Sequence, residues 1–143
     1  MRRLALVGVG SPFGDDTLGW QLLDALASRG LAIPGWEITL SKADRPGPTL
    51  LDRIREQDAA IIIDAMQSGG RPEILHLVEL SELERLDQPL SGHAMGVAEA
   101  LALGRKLELL PARLHILGIG MGGGLPGEVV EKAVAMIEGL FKA

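Results

Sequence analysis

Short apolar runs alternate along this chain with longer segments in which polar and apolar positions repeat at a helical interval. The runs at 4–10 and 59–64 are almost wholly apolar, which predicts strands buried on both faces of a sheet. Residues 113–120 predict a further strand of this kind, and residues 36–40 alternate as a shorter one. Residues 73–80 also alternate, and because they follow the third run so soon, they predict an antiparallel edge or hairpin partner.

The segments between these runs predict helices. The first, at 15–29, has a polar face and a leucine-rich face, and Gly30 follows it as a stop signal. Its polar face carries Thr17, Gln21, Asp24 and Ser28. Further helices are predicted at 49–57, 82–86, 94–107 and 128–142. Because strands alternate with helices, we predict one domain, 1–143, with a three-layer α/β/α fold around a mostly parallel twisted sheet of about five strands.

Composition narrows the class of protein. A length of 143 residues suits one compact domain, and 3% aromatic residues leave few rings on which bases could stack. The formal net charge of -5, without a run of lysine or arginine, disfavours a nucleic-acid partner. No apolar stretch approaches the ~20 residues that span a bilayer, which disfavours a membrane partner. Arginines precede the first apolar run as in a signal peptide, but glycines and Pro12 interrupt it, so we expect a cytoplasmic protein.

The chain contains no cysteine, and this restricts its chemistry. Disulfides, thiolate metal sites, iron–sulfur clusters and a cysteine nucleophile are all excluded. Any metal must therefore be held by the nitrogen and oxygen atoms of histidine and carboxylate side chains.

The stretch GVGSPFGDDTLG, residues 8–19, joins the first strand to the first helix and suggests a phosphate-binding turn. Phe13 replaces the third glycine of a dinucleotide fingerprint, and the lysine of a P-loop is absent. Ser11 lacks the flanking glycines of a nucleophile elbow. These motifs do not explain the turn. A nucleotide- or phosphate-binding domain that uses Gly8, Gly10 or the glycine-rich turn at 120–124 stays as an alternative.

Asp15, Asp16 and Asp64 are the candidate acidic residues. Ligands of open α/β sheets collect beyond the carboxyl ends of the strands, where the first turn and the end of the third strand are expected to lie. Periodicity directs Asp15 and Asp16 away from the solvent face of the first helix and does not choose between them. Either acid can instead cap the helix, the interpretation that we favour for Asp15. Asp64 follows three isoleucines directly, so it needs a strong partner.

His93 is the candidate imidazole. It opens a predicted helix, and the positions four, eight and eleven residues later form an apolar stripe of Val97, Leu101 and Gly104. The positive end of the helix dipole keeps such a ring neutral, the form that binds metal. Two carboxylates and one imidazole suit a divalent ion such as Zn, Ni or Mn. His76 and His115 lie inside alternating strands, and we interpret them as packing residues outside the site.

Three motifs together resemble the hydrogenase maturation protease family. GVGSPFGDDTLG resembles the glycine-rich opening of the family with its acidic pair, and IIIDAMQSGG resembles its apolar strand that ends in Asp-Ala. SGHAMGVAEAL resembles its helix-opening histidine. The resemblance implies an endopeptidase that trims the carboxyl-terminal extension from the large-subunit precursor of a [NiFe] hydrogenase, and this precursor is the expected partner.

The resemblance also implies the site. The family's three metal-site positions fall on Asp16, Asp64 and His93, which selects Asp16 over Asp15 as a catalytic and metal-binding residue. It further implies that nickel is recognised on the substrate and is not a permanently bound cofactor. Water is then the expected nucleophile, activated by metal or by a carboxylate.

The chain departs from the family pattern at two positions of the opening motif. Ser11 stands where asparagine is usual, and Thr17 stands where glycine is common. These departures motivate an alternative function, a non-catalytic factor that binds nickel or the precursor on the same fold. The sequence does not indicate an oligomeric state.

Overall fold

The computed structural model describes residues 1–10, 17–44, 48–66, 75–78, 96–120 and 125–142. Several predicted features lie outside these residues: Asp15, Asp16, His93, the short acidic helix at 82–86 and the turn at 121–124. Among the site candidates, Asp64 is therefore the residue whose environment the structure defines.

The described residues form five strands that make one sheet, with helices between them. The strands are β1 Arg2–Gly10, β2 Trp36–Asp44, β3 Ala59–Met66, β4 Leu75–Val78 and β5 Arg113–Gly120. The helices are α1 Leu18–Ser28, α2 Pro48–Ile54, α3 Gly96–Lys106 and α4 Gly127–Phe141. The strand order is β2-β1-β3-β5-β4, parallel throughout except for the antiparallel pair of β4 and β5. The predicted α/β fold, its mostly parallel sheet and its antiparallel edge strand are confirmed.

The sheet is covered by helices on both faces, because its strands are apolar on both faces. Ile61 and Ile63 of β3 belong to the core beneath α1 and α4, whereas Ile62 and Met66 belong to the core beneath α2 and α3. The strand β3 is buried along its whole length. None of the helices in the described part of the chain is long and apolar enough to cross a membrane.

Several element boundaries differ from the predicted ones, and the structure shows the backbone reason for two of them. The helix α2 ends at Ile54 and does not reach residue 57, since Glu56 adopts a left-handed conformation with φ 68°. The strand β2 continues to Asp44 because it pairs with β1 along its whole length, as far as Gly10 opposite Asp44. The predicted glycine stop of α1 is confirmed, since Gly30 has φ 66°.

Two glycines bring α1 into direct contact with the strands. A Cβ atom on Gly8 would lie 2.7 Å from the carbonyl oxygen of Gly19. A Cβ atom on Gly19 would lie 2.5 Å from the carbonyl oxygen of Val9 and 2.8 Å from that of Ile63. Only glycine fits such an approach, so the first turn of α1 lies against the carboxyl ends of β1 and β3.

We expect Gly19→Ala to lower the free energy of unfolding by about 1–3 kcal/mol, because the new methyl group has no space and the backbone must move. The matched control is Gly139→Ala in α4, where nothing lies within 4 Å of the added Cβ atom. There the better helix propensity of alanine should raise the free energy of unfolding by roughly 0.5–1 kcal/mol. Urea denaturation of both variants measures the difference, and an equal gain in both would show that the close contact is unimportant.

Candidate functional site

Asp64 lies near the carboxyl end of the central strand β3 and is completely buried. The strand continues two residues further than the sequence predicted, to Met66, so Asp64 lies inside the strand. Its side chain points to the face covered by α2 and α3, because side chains alternate along the strand and Ile62 and Met66 face that side. The structure thus places a carboxylate at 0% exposure among aliphatic side chains.

Such burial indicates a function for the carboxylate. Removing an ionised carboxylate from water costs several kcal/mol, and the cost is recovered only through hydrogen bonds, an opposite charge or a metal ion. An apolar residue at this position would pack against its neighbours without that cost. A carboxylate in this buried strand is therefore a candidate for ligand chemistry.

The first turn of α1 packs against the backbone of β3 next to Asp64. Gly19 approaches the carbonyl oxygen of Ile63, the residue directly before Asp64. The side chain of Trp20, the next residue, donates a hydrogen bond to the carbonyl oxygen of Ala43 at 3.2 Å. The amino-terminal end of α1 is thereby held at the carboxyl edge of the three strands β1, β2 and β3.

The helix α3 covers the face of the sheet to which Asp64 points. Val97 and Leu101 are completely buried there, and a Cβ atom on Gly104 would lie 2.6 Å from Leu51 Cδ2. The apolar stripe that the sequence predicted on this helix is confirmed. The first residue of α3 that the structure describes is Gly96, three residues after His93.

His76 lies in the same row of the sheet as Asp64. Asp64 is paired with Gly118 on β5, and Gly118 is paired with His76 on β4. A Cβ atom on Gly118 would lie 3.3 Å from His76 Nε2 and 2.6 Å from Met66 Sδ. Asp64 and His76 are the buried polar side chains of the described residues. The sequence interpretation places His76 outside the site, and its place in this row follows from the register of β4 against β5.

His115 lies on the opposite face of the sheet. It contacts the ring of Phe141 edge to face, with ring centroids 5.8 Å apart, and Phe141 belongs to the core beneath α1 and α4. This position agrees with the packing role expected for His115.

The predicted set of Asp16, Asp64 and His93 is represented in the described residues by Asp64 alone. Within that part of the chain, no group of three or more histidine, aspartate or glutamate side chains is arranged to hold a metal. The remaining two members stay predictions from the sequence. A cleft of about 440 Å³ lined by Ile33, Glu138 and Lys142 lies where the chain enters β2 and α4 ends, away from Asp64.

Comparison with known proteins gives sequence and structural relatives, although no protein-family model matches the chain. The hydrogenase expression/formation protein HupD of Thiocapsa roseopersicina is 26% identical over 144 residues. The match covers 94% of this chain and 64% of that protein, so the chain spans less than two thirds of this curated relative.

Solved structures share the fold over almost the whole chain. The [NiFe] hydrogenase maturation protease HybD from Thermococcus kodakarensis has a TM-score of 0.63 and 26% identity, covering 99% of this chain and all of that one. An endopeptidase from Escherichia coli, known from a solution structure, has a TM-score of 0.70 and 23% identity, covering 98% of this chain and 89% of that one.

The fold and the site place the chain among three-layer α/β proteins that carry a buried carboxylate near the carboxyl end of the central strand. The relatives agree with the family resemblance that the three sequence motifs carry. The chain is similar in sequence to HupD and in sequence and fold to the hydrogenase maturation protease HybD.

Proposed function

We propose that this chain is an endopeptidase that removes the carboxyl-terminal extension of a [NiFe]-hydrogenase large-subunit precursor after nickel insertion. The observation that carries the proposal is the completely buried Asp64 carboxylate on β3, in the family motif and next to the start of α1. The names of the relatives support the hydrolytic class, since HybD of Thermococcus kodakarensis is a hydrogenase maturation protease.

The proposed site consists of Asp16, Asp64 and His93, and chain geometry supports their proximity. Asp16 directly precedes Thr17, so the two Cα atoms are about 3.8 Å apart, and Thr17 begins the turn that contacts β3. His93 is three residues from Gly96, a distance of at most about 11 Å, and α3 covers the face to which Asp64 points. The proposal therefore uses one residue from the start of each of two helices that pack around β3, the strand of the buried carboxylate.

The donor set fits nickel carried by the substrate. Carboxylate oxygen and imidazole nitrogen are ligands that divalent nickel accepts, and the chain offers no thiolate that would compete with the substrate for it. When present, the metal would act as a Lewis acid toward a peptide carbonyl or a water molecule. The role of Asp64 is to present a fixed, desolvated carboxylate, which binds a cation more strongly than an exposed one.

The nucleophile in this proposal is water. The chain has no cysteine, and Ser11 lacks the glycines that would make a nucleophile elbow. A carboxylate of the site can take up the proton of the attacking water as a general base. Recognition of the nickel then precedes hydrolysis, which limits cleavage to precursors whose metal is already inserted.

Incubation with nickel-loaded and nickel-free precursor, read by mass spectrometry, tests the proposal. We expect loss of a carboxyl-terminal segment from the loaded precursor alone. Asp16→Asn, Asp64→Asn and His93→Ala should each slow cleavage by at least about a hundredfold, because each removes a group that contacts the reacting centre. Asp15→Asn is the matched control, with the same chemical change one residue away, and should cleave at the wild-type rate.

Two outcomes would contradict this proposal in different ways. Tight binding of the loaded precursor without a change in its mass would support a non-catalytic maturation factor. Wild-type rates in both Asp16→Asn and His93→Ala would disprove the site, even if cleavage occurs.

Metal analysis gives a separate prediction. Protein purified without added metal should contain far less than one equivalent of nickel or zinc, because in this proposal the nickel arrives with the substrate, which supplies its other ligands. Calorimetric titration with nickel should show weak binding that is lost in Asp64→Asn and retained in Asp15→Asn. A tightly bound stoichiometric metal in the purified protein would contradict recognition of nickel on the substrate.

A further inference from the structure

The buried polar side chains of the described residues occupy one row across the sheet. Asp64 is 0% exposed and His76 is 9% exposed. Because residues paired across neighbouring strands point to the same face, both side chains lie on the face covered by α2 and α3. The other residues of that core are aliphatic, apart from methionine. The positions of Asp64 and His76 in one row of an otherwise apolar face suggest that the two side chains act together.

Gly118 provides the space between the two side chains. It lies on β5, paired with Asp64 on one side and with His76 on the other. Strands lie about 4.8 Å apart, so the two Cα atoms are separated by roughly 10 Å. Any side chain on Gly118 would occupy the gap. With glycine there, His76 Nε2 lies 3.3 Å from the position that a Cβ atom would take, so the imidazole extends over β5 toward β3.

The two side chains approach each other over Gly118. The Cβ atoms of paired residues are about 5 Å apart, so Asp64 and His76 each lie one strand away from this glycine. A carboxylate turned toward β5 therefore faces the imidazole across a distance that one water molecule bridges. Met66, whose Sδ atom would lie 2.6 Å from a Cβ atom on Gly118, covers the same gap.

We propose that His76 is a positioning residue for Asp64: its imidazole N–H donates a hydrogen bond to a water molecule, which in turn donates to the carboxylate and fixes its orientation. The proposal rests on the function proposed above and adds a residue to that site. Carboxylates that bind metals are held by hydrogen bonds from a second layer of residues, and loss of such a partner weakens metal affinity or activity by about 10–100-fold. His76 acts through Asp64 and does not contact the substrate.

His76→Leu and His76→Gln test the proposal, with His115→Gln on the opposite face as the control. For His76→Leu we expect kcat on nickel-loaded precursor to fall about 10–100-fold with little change in KM. His76→Gln, which keeps a donor, should recover part of kcat. The double variant Asp64→Asn with His76→Leu should be no slower than Asp64→Asn alone, since the two residues act through one contact. His115→Gln should keep the wild-type kcat.

Nitrogen-15 NMR of the three histidine rings measures the contact without any activity. Asp64→Asn should shift the ring nitrogen resonances of His76 and leave those of His115 unchanged. This readout does not require the His76 variants to fold, and it separates the two proposals. If Asp64→Asn shifts the His76 resonances but the wild-type protein cleaves no precursor, the positioning contact is supported and the proposed function is disproved. Unshifted His76 resonances, or wild-type kcat in His76→Leu, would overturn the role of His76.

Discussion

The contact between the first turn of α1 and the carboxyl ends of the strands determines the arrangement of the candidate site. Gly19 approaches the carbonyl oxygens of Val9 and Ile63 more closely than any other residue type permits. Gly8 makes the complementary space by leaving room for the Gly19 carbonyl. Gly8 and Gly19 of the opening motif are thus explained by helix–strand packing, and a phosphate ligand is not needed to account for Gly8. The same contact holds the first turn of α1 beside β3, the strand that carries the buried carboxylate of Asp64.

Much of the fold follows from the apolar pattern of the sequence. The strand β5 has the bounds that its apolar run predicted, and β4 is the expected antiparallel edge strand. The deviations have tertiary or local causes that periodicity does not contain. Pairing with β1 lengthens β2, and a left-handed residue, Glu56, shortens α2.

The site was less predictable than the fold, for physical reasons. Asp64 is a candidate from the sequence because a charge after three isoleucines contradicts its surroundings. The choice of Asp16 over Asp15 comes from the motif, since a helical period cannot distinguish adjacent residues at a helix start. The sequence assigns His76 to packing, and its place in the same row as Asp64 depends on the register of two strand pairs through Gly118, which no local pattern encodes.

The order of the strands makes the row of Asp64 and His76 depend on β5. Asp64 and His76 are twelve residues apart in the sequence, yet β5, which comes some forty residues later, is inserted between their strands. Until β5 pairs with β3, Asp64 lacks a neighbour on that side, and β4 lacks the partner that holds it in the sheet. Burial of the carboxylate, closure of the sheet and placement of His76 therefore depend on the same non-local pairing. Asp64 becomes buried only when the sheet is complete. The free-energy cost of burying its carboxylate therefore arises only in the folded protein, where His76 is also in place.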